Sequence, residues 1–148
     1  MAQWAVPTTP EIELEKRSIE LALDLRPNSD VIARRAVQRL IGDDAPVAFV
    51  RDAVLLTSEV VNNVTRHTRG GCGLSAVFDS PSQWLRVDVE DTSLVIPVPI
   101  ARPHEGGWGL RFLEQVAARW GITPSPHGKT VWFEIDRTSG AHTLTAGS

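Results

Sequence analysis

The segment from Pro46 to about Thr68 constrains this chain more than any other. Phe49, Ala53, Leu56, Val60 and Val64 recur at intervals of three or four residues before Gly70 and Gly71, a spacing that places all five on one side of an α-helix. A stripe of that length needs a broad apolar surface to cover, and the flanking sequence supplies strands. Ile19, Leu21, Leu23 and Leu25 alternate with polar or small residues and predict a strand over 18–25, ended by Pro27. Leu74 to Phe78 and Trp84 to Glu90 predict two more, joined by the turn-forming run Asp79, Ser80, Pro81 and Ser82.

A second helix is predicted between the first strand and the long helix. Asn28 or Ser29 can cap it, Asp30 lies in its first turn, and Val31, Ala33, Val37, Leu40 and Ile41 follow at helical spacing up to Gly42. Residues 92–106 contain Pro97, Pro99 and Pro103 and are expected to form a loop, of a length more often functional than idle. Gly106, Gly107 and Gly109 then open a third helix carrying Leu110, Leu113, Val116, Ala117 and Trp120 and closed by Gly121. A hairpin turning at Pro126 to Gly128 leads into a last strand, Thr130 to Ile135. The order strand, helix, helix, strand, strand, loop, helix, strand, strand predicts an α+β fold, a two-layer α/β sandwich in which helices cover one face of a mixed sheet. Residues 1–17 are expected to form a flexible arm, 18–137 the domain and 138–148 a disordered tail.

With 148 residues the chain is expected to make one domain, and 42% hydrophobic against 22% charged residues predicts a packed core. A formal charge of −3 with no evident basic patch makes direct nucleic-acid binding a poor expectation. The single cysteine, Cys72, rules out an intramolecular disulfide and a cysteine-rich zinc site. No apolar run approaches a signal peptide or the roughly 20 residues of a membrane span, so a cytoplasmic protein is expected.

Three stretches carry the chemistry. In LLTSEVVNNVTRHT, residues 55–68, Glu59 and Asn63 share a helix face, with Arg66 and His67 a turn further on. These residues read equally as a solvated stripe or as a site, with an amide oxygen suited to Mg²⁺ and a carboxylate able to deprotonate a hydroxyl or water. Asp91, at the exit of a strand, either caps the turn that follows or accepts a hydrogen bond from an exocyclic amine such as that of adenine, with Ser93 beside it. Glu105-Gly106-Gly107-Trp108-Gly109-Leu110 is a glycine-rich entry to a helix, where unpaired N–H groups favour anions and where such loops also serve only to turn the chain. Gly128-Lys129-Thr130 has the letters of a phosphate-binding loop but precedes a strand, so that reading fails. Trp120 and Trp132 are expected to be packing residues.

The order of these pieces, with the blocks SEVVNNVTRH, EGGWGLRFLEQVAARWG and GKTVWFEI, resembles the Bergerat-type (GHKL) ATP-binding fold of gyrase, histidine kinases and the MutL repair proteins. It is most similar to the small bacterial anti-sigma-factor serine kinases, over about Ser18 to Ile135. The resemblance implies that Asn63 binds Mg²⁺ and that Glu59 acts as general base. It places Arg66 and His67 near the phosphates and gives Asp91 the adenine amino group, supported by Thr130. Gly107 and Gly109 match a glycine box that approaches the phosphates, with Trp108 and Leu110 in the same block. Ser93 stands where many relatives have glycine, and the apolar Leu94, Val95 and Ile96 follow it.

The function so implied is that of an ATP- and Mg²⁺-dependent protein serine/threonine kinase. It would phosphorylate an anti-sigma-factor antagonist with a STAS-type domain and sequester a sigma factor, with a homodimer as the common assembly of such proteins. The alternative is a non-catalytic ATP-binding module that grips a protein partner. A freestanding ATPase is a third possibility. Histidine-kinase action is not expected, because 148 residues leave no room for a phosphoacceptor helix pair.

Overall fold

A computed structural model describes residues 16–23, 28–67, 72–91, 108–125 and 128–138. The elements run β1 (Lys16–Leu23), α1 (Ser29–Ile41), α2 (Val47–His67), β2 (Cys72–Asp79), β3 (Trp84–Asp91), α3 (Trp108–Val116), β4 (Arg119–Ser125) and β5 (Gly128–Ile135). This is the α+β order expected from the periodicities. No described helix is long and apolar enough to cross a membrane.

Five strands form one sheet in the order β1-β2-β3-β5-β4. Every neighbouring pair is antiparallel, where a mixed sheet was expected. The reason lies in the last hairpin. The connection through α3 brings β4 back parallel to β3, but β5 inserts between the two and runs against both. The helices cover one face. Leu74, Ala76 and Phe78 of β2, Leu85, Val87 and Val89 of β3, and Val131, Phe133 and Ile135 of β5 alternate onto that face and are buried. The α2 stripe Phe49, Ala53, Leu56, Val60 and Val64 is buried with them, as are Ala33, Val37, Leu40 and Ile41 of α1. Helix α2 is the centre of this layer, packing on α1, on α3 and on β3 and β5.

Helix α1 starts after Asn28, whose carbonyl accepts from the N–H groups of Val31 and Ile32 at 3.1 and 3.2 Å, without a side-chain cap. It stops at Gly42, where φ of +61° suits glycine and the N–H donates to the Gln38 carbonyl at 2.9 Å.

Two boundaries differ from the sequence reading. The first strand begins at Lys16, inside the stretch expected to be an arm, because Arg17 is anchored from both sides. Its guanidinium donates to Asp44 Oδ2 at 2.6 Å and lies 5.3 Å from the Phe78 ring centroid. Residues 1–15 and 139–148, the rest of the expected arm and nearly all of the expected tail, lie outside the described residues. The third helix ends at Val116, and Trp120 and Gly121 belong to β4 instead. Trp120 stands four residues after Val116 and so mimics a further helical turn. The chain has by then joined the sheet, with the Ala118 N–H donating to the Glu134 carbonyl at 2.8 Å and Trp120 opposite Phe133.

Gly121 is therefore not a helix stop. It is a strand residue facing Trp132, and a Cβ there would meet the indole at 2.9–3.0 Å. The same ring lies 4.1 Å beneath the Arg86 guanidinium, so it has little freedom to retreat. Gly121→Ala is expected to destabilise the domain by about 1–3 kcal/mol, as overpacking does, measured by urea denaturation.

The sheet face away from the helices is tied together by Glu134. Its side chain is 5% exposed and accepts from Arg119 at 2.6 and 3.1 Å, from the Trp84 indole N–H at 3.1 Å and from Arg86 at 3.0 Å. Burial alone would raise this carboxyl, but the hydrogen bonds from Arg119, Trp84 and Arg86 outweigh it and hold it below the usual range. A carboxyl depressed in the folded state contributes stability that is complete above its unfolded value, about 4.3, and is lost as pH falls through the folded value. Glu134→Gln is expected to cost about 1–3 kcal/mol at pH 7, moderated by the solvent exposure of Arg119. The difference from wild type should shrink below about pH 4 in denaturation curves taken across the acid range.

Candidate functional site

The sheet brings one residue from each strand into a row at one end of its helix-covered face. Leu23 lies opposite Cys72, Cys72 opposite Asp91, Asp91 opposite Lys129 and Lys129 opposite Pro124. Helix α2 reaches the same end of the domain, because only residues 68–71 separate His67 from Cys72, a link that spans at most about 18 Å. Asn63, one turn before the end of α2, is 7% exposed on the apolar side of the helix beside Val60 and Val64, whereas Glu59 is half-buried. The structure thus gathers Asn63 and Asp91 at one end of the domain, with Glu59 a further turn back along α2.

At the centre of the row is an ion pair sealed from solvent. Lys129 Nζ donates to Asp91 Oδ1 at 3.3 Å and sits 3.0 Å from Oδ2, with 1% of the lysine side chain and none of the aspartate side chain exposed. Burying two charges this completely requires that they compensate one another. Beside them the Cys72 thiol is pushed up to about 11, first by burial and then by the negative charge of Asp91.

Lys129 was missed as a site residue, although its strand carries the signal that finds it. Along GKTVWFEI the buried Val131, Phe133 and Ile135 are spaced by two, and Lys129 is in phase with them whereas Thr130 is not. Thr130 lies on the other face, paired with Glu90 and Thr123, so the structure does not bring it to Asp91. It lines an open groove of about 580 Å³ with Glu20, Ser75, Asp88 and Glu90. Three carboxylates there repel phosphates, so this groove is a poor place for an anionic nucleotide.

Among the other expected site residues, Arg66 and His67 form the last turn of α2, and Trp108, Gly109 and Leu110 form the first turn of α3. Their side chains, and the whole of Ser93 and Gly107, lie outside the described residues. Among the described residues no group of three or more histidine, cysteine, aspartate or glutamate side chains is placed to hold a metal ion. A single buried amide such as Asn63 suits Mg²⁺, which keeps most of its shell as water and phosphate oxygens.

No family model matches the chain, and no curated protein does. Among solved structures it is similar to the RsbU and RsbW domains of Rv1364c from Mycobacterium tuberculosis, with 19% identity, a TM-score of 0.62, and coverage of 80% of this chain and 32% of that one. The histidine kinase domain of the blue-light-activated histidine kinase from Erythrobacter litoralis EL346 is also found, with 20% identity, a TM-score of 0.47, and coverage of 82% of this chain and 65% of that one. The chain spans about a third of the length of the mycobacterial protein chain. The likeness to the mycobacterial structure is one of fold, the Bergerat-type fold.

The thiol provides a direct check on the row. Cys72 is expected to react with iodoacetamide at pH 8 at least roughly a hundredfold more slowly in the folded protein than in urea, as followed by mass spectrometry. A native rate equal to the unfolded one would mean that this end of the sheet is open.

Proposed function

We propose that the protein is an ATP- and Mg²⁺-dependent protein kinase of the anti-sigma-factor type, which transfers phosphate to a serine of a STAS-type antagonist and holds a sigma factor. The observation that supports this reading is that a buried Asn63 and a buried Asp91 both lie toward one end of the helix-covered side of a Bergerat-type sheet. ATP with Mg²⁺ supplies the phosphoryl group and offsets its charge. In this reading Asn63 holds the metal by its amide oxygen, and Asp91 faces the base. Glu59, a turn back along α2, takes the proton from the attacking hydroxyl. Arg66 and His67, with Gly107, Trp108, Gly109 and Leu110, border the phosphates, and Ser93 lies near the base.

A second reading, a non-catalytic module that grips its partner without phosphate transfer, is favoured by one specific feature. The carboxylate assigned to the base is already paired with Lys129. Two measurements separate the readings. Incubation with radiolabelled ATP and antagonist domains is expected to label the acceptor. Glu59→Ala should abolish that label while retaining nucleotide binding, and Asn63→Ala should weaken the Mg²⁺-dependent part of binding about tenfold or more by calorimetry. Binding without label transfer to any acceptor would leave the module reading in place of the kinase.

A further inference from the structure

We propose that the base-facing end of this site is occupied from within, with Lys129 taking the place of an incoming exocyclic amine against Asp91, so that a purine nucleotide binds only by displacing the Lys129 ammonium. The inference rests on the reading of Asp91 as the base-facing carboxylate. An amine of adenine would bring an N–H to this carboxylate at about 2.9 Å. The Lys129 ammonium already occupies that position: it donates to Oδ1 at 3.3 Å and lies 3.0 Å from Oδ2, an oxygen that accepts no hydrogen bond. With the side chains 0% and 1% exposed, the pair offers an external base almost no surface. A four-carbon stem with a compact, strongly hydrated head can leave such a site without moving the strand.

The consequence for affinity has a definite sign. In the unliganded protein, removing the ammonium leaves Asp91 buried without this counter-charge, a state that is costly. In the nucleotide-bound protein the ammonium has already left, so its removal changes little. The substitution therefore raises only the unliganded state, and the nucleotide binds more tightly. The same lysine makes the intact protein a weak nucleotide binder and Lys129 the residue that sets that weakness.

The test is calorimetric titration of Mg-ATP into the full chain. Lys129→Met, which keeps the stem and removes the charge, is expected to bind about tenfold or more tightly than wild type. Should that variant fail to fold by circular dichroism, the double variant Asp91→Asn with Lys129→Met is the decisive one. It buries no charge, its amide oxygen still accepts from an amine, and it too is expected to bind more tightly than wild type. Binding by wild type with equal or weaker binding by the decisive folded variant overturns the inference and leaves the nucleotide reading standing. No binding by wild type or by either folded variant overturns both.

Discussion

The burial of the α2 stripe against the alternating face of the sheet is the constraint on which everything else depends. Phe49, Ala53, Leu56, Val60 and Val64 meet the inner residues of β3 and β5 in one apolar layer, and that contact fixes the rotation of α2 about its own axis. Once the stripe points down, Asn63, which lies between Val60 and Val64 in sequence, must be buried too, and Glu59 is left at the margin of the layer. The polar candidates of α2 thus take their depth in the layer from their apolar neighbours. The same layer sets the register at its far end, where the alternation that buries Val89 and Val131 also buries Asp91 and Lys129.

Much of this was legible in the sequence because the strongest signals were periodic. The long helix, the central hairpin, and the positions of Asn63 and Asp91 follow from spacings of three or four and of two, which burial enforces directly. The errors fall where two patterns compete. Trp120 satisfies a helical spacing after Val116 and a strand spacing with Ile122, and only pairing with β5 settles the choice. Lys129 and Thr130 posed the same problem within one strand. The resemblance points to Thr130, whereas the phase with Val131 points to Lys129, a residue type rarely buried. Sheet direction could not be read at all, since it depends on where β5 inserts and not on any local preference.

The two faces of the sheet handle charge in different ways. On the open face Glu134 of β5 is shared among Arg86 and Trp84 of β3 and Arg119 of β4, a network with solvent at its rim. On the covered face one carboxylate meets one ammonium with no water access. The first arrangement ties strands together and tolerates local change, because no single donor carries the whole compensation. The second keeps both charges out of water, and an arrangement of that kind suits a site that distinguishes an occupied from a vacated state.

The strand order has a kinetic consequence. Residues of β1 pair with β2 partners between 49 positions away, for Leu23 with Cys72, and 63 positions away, for Lys16 with Asp79. The β2–β3 hairpin needs only the short turn at Ser80 to Gln83. Closing the longer loop early is entropically unfavourable. Strand β1 is therefore among the last to join the sheet, and the edge it covers on β2 stays open until both intervening helices have assembled.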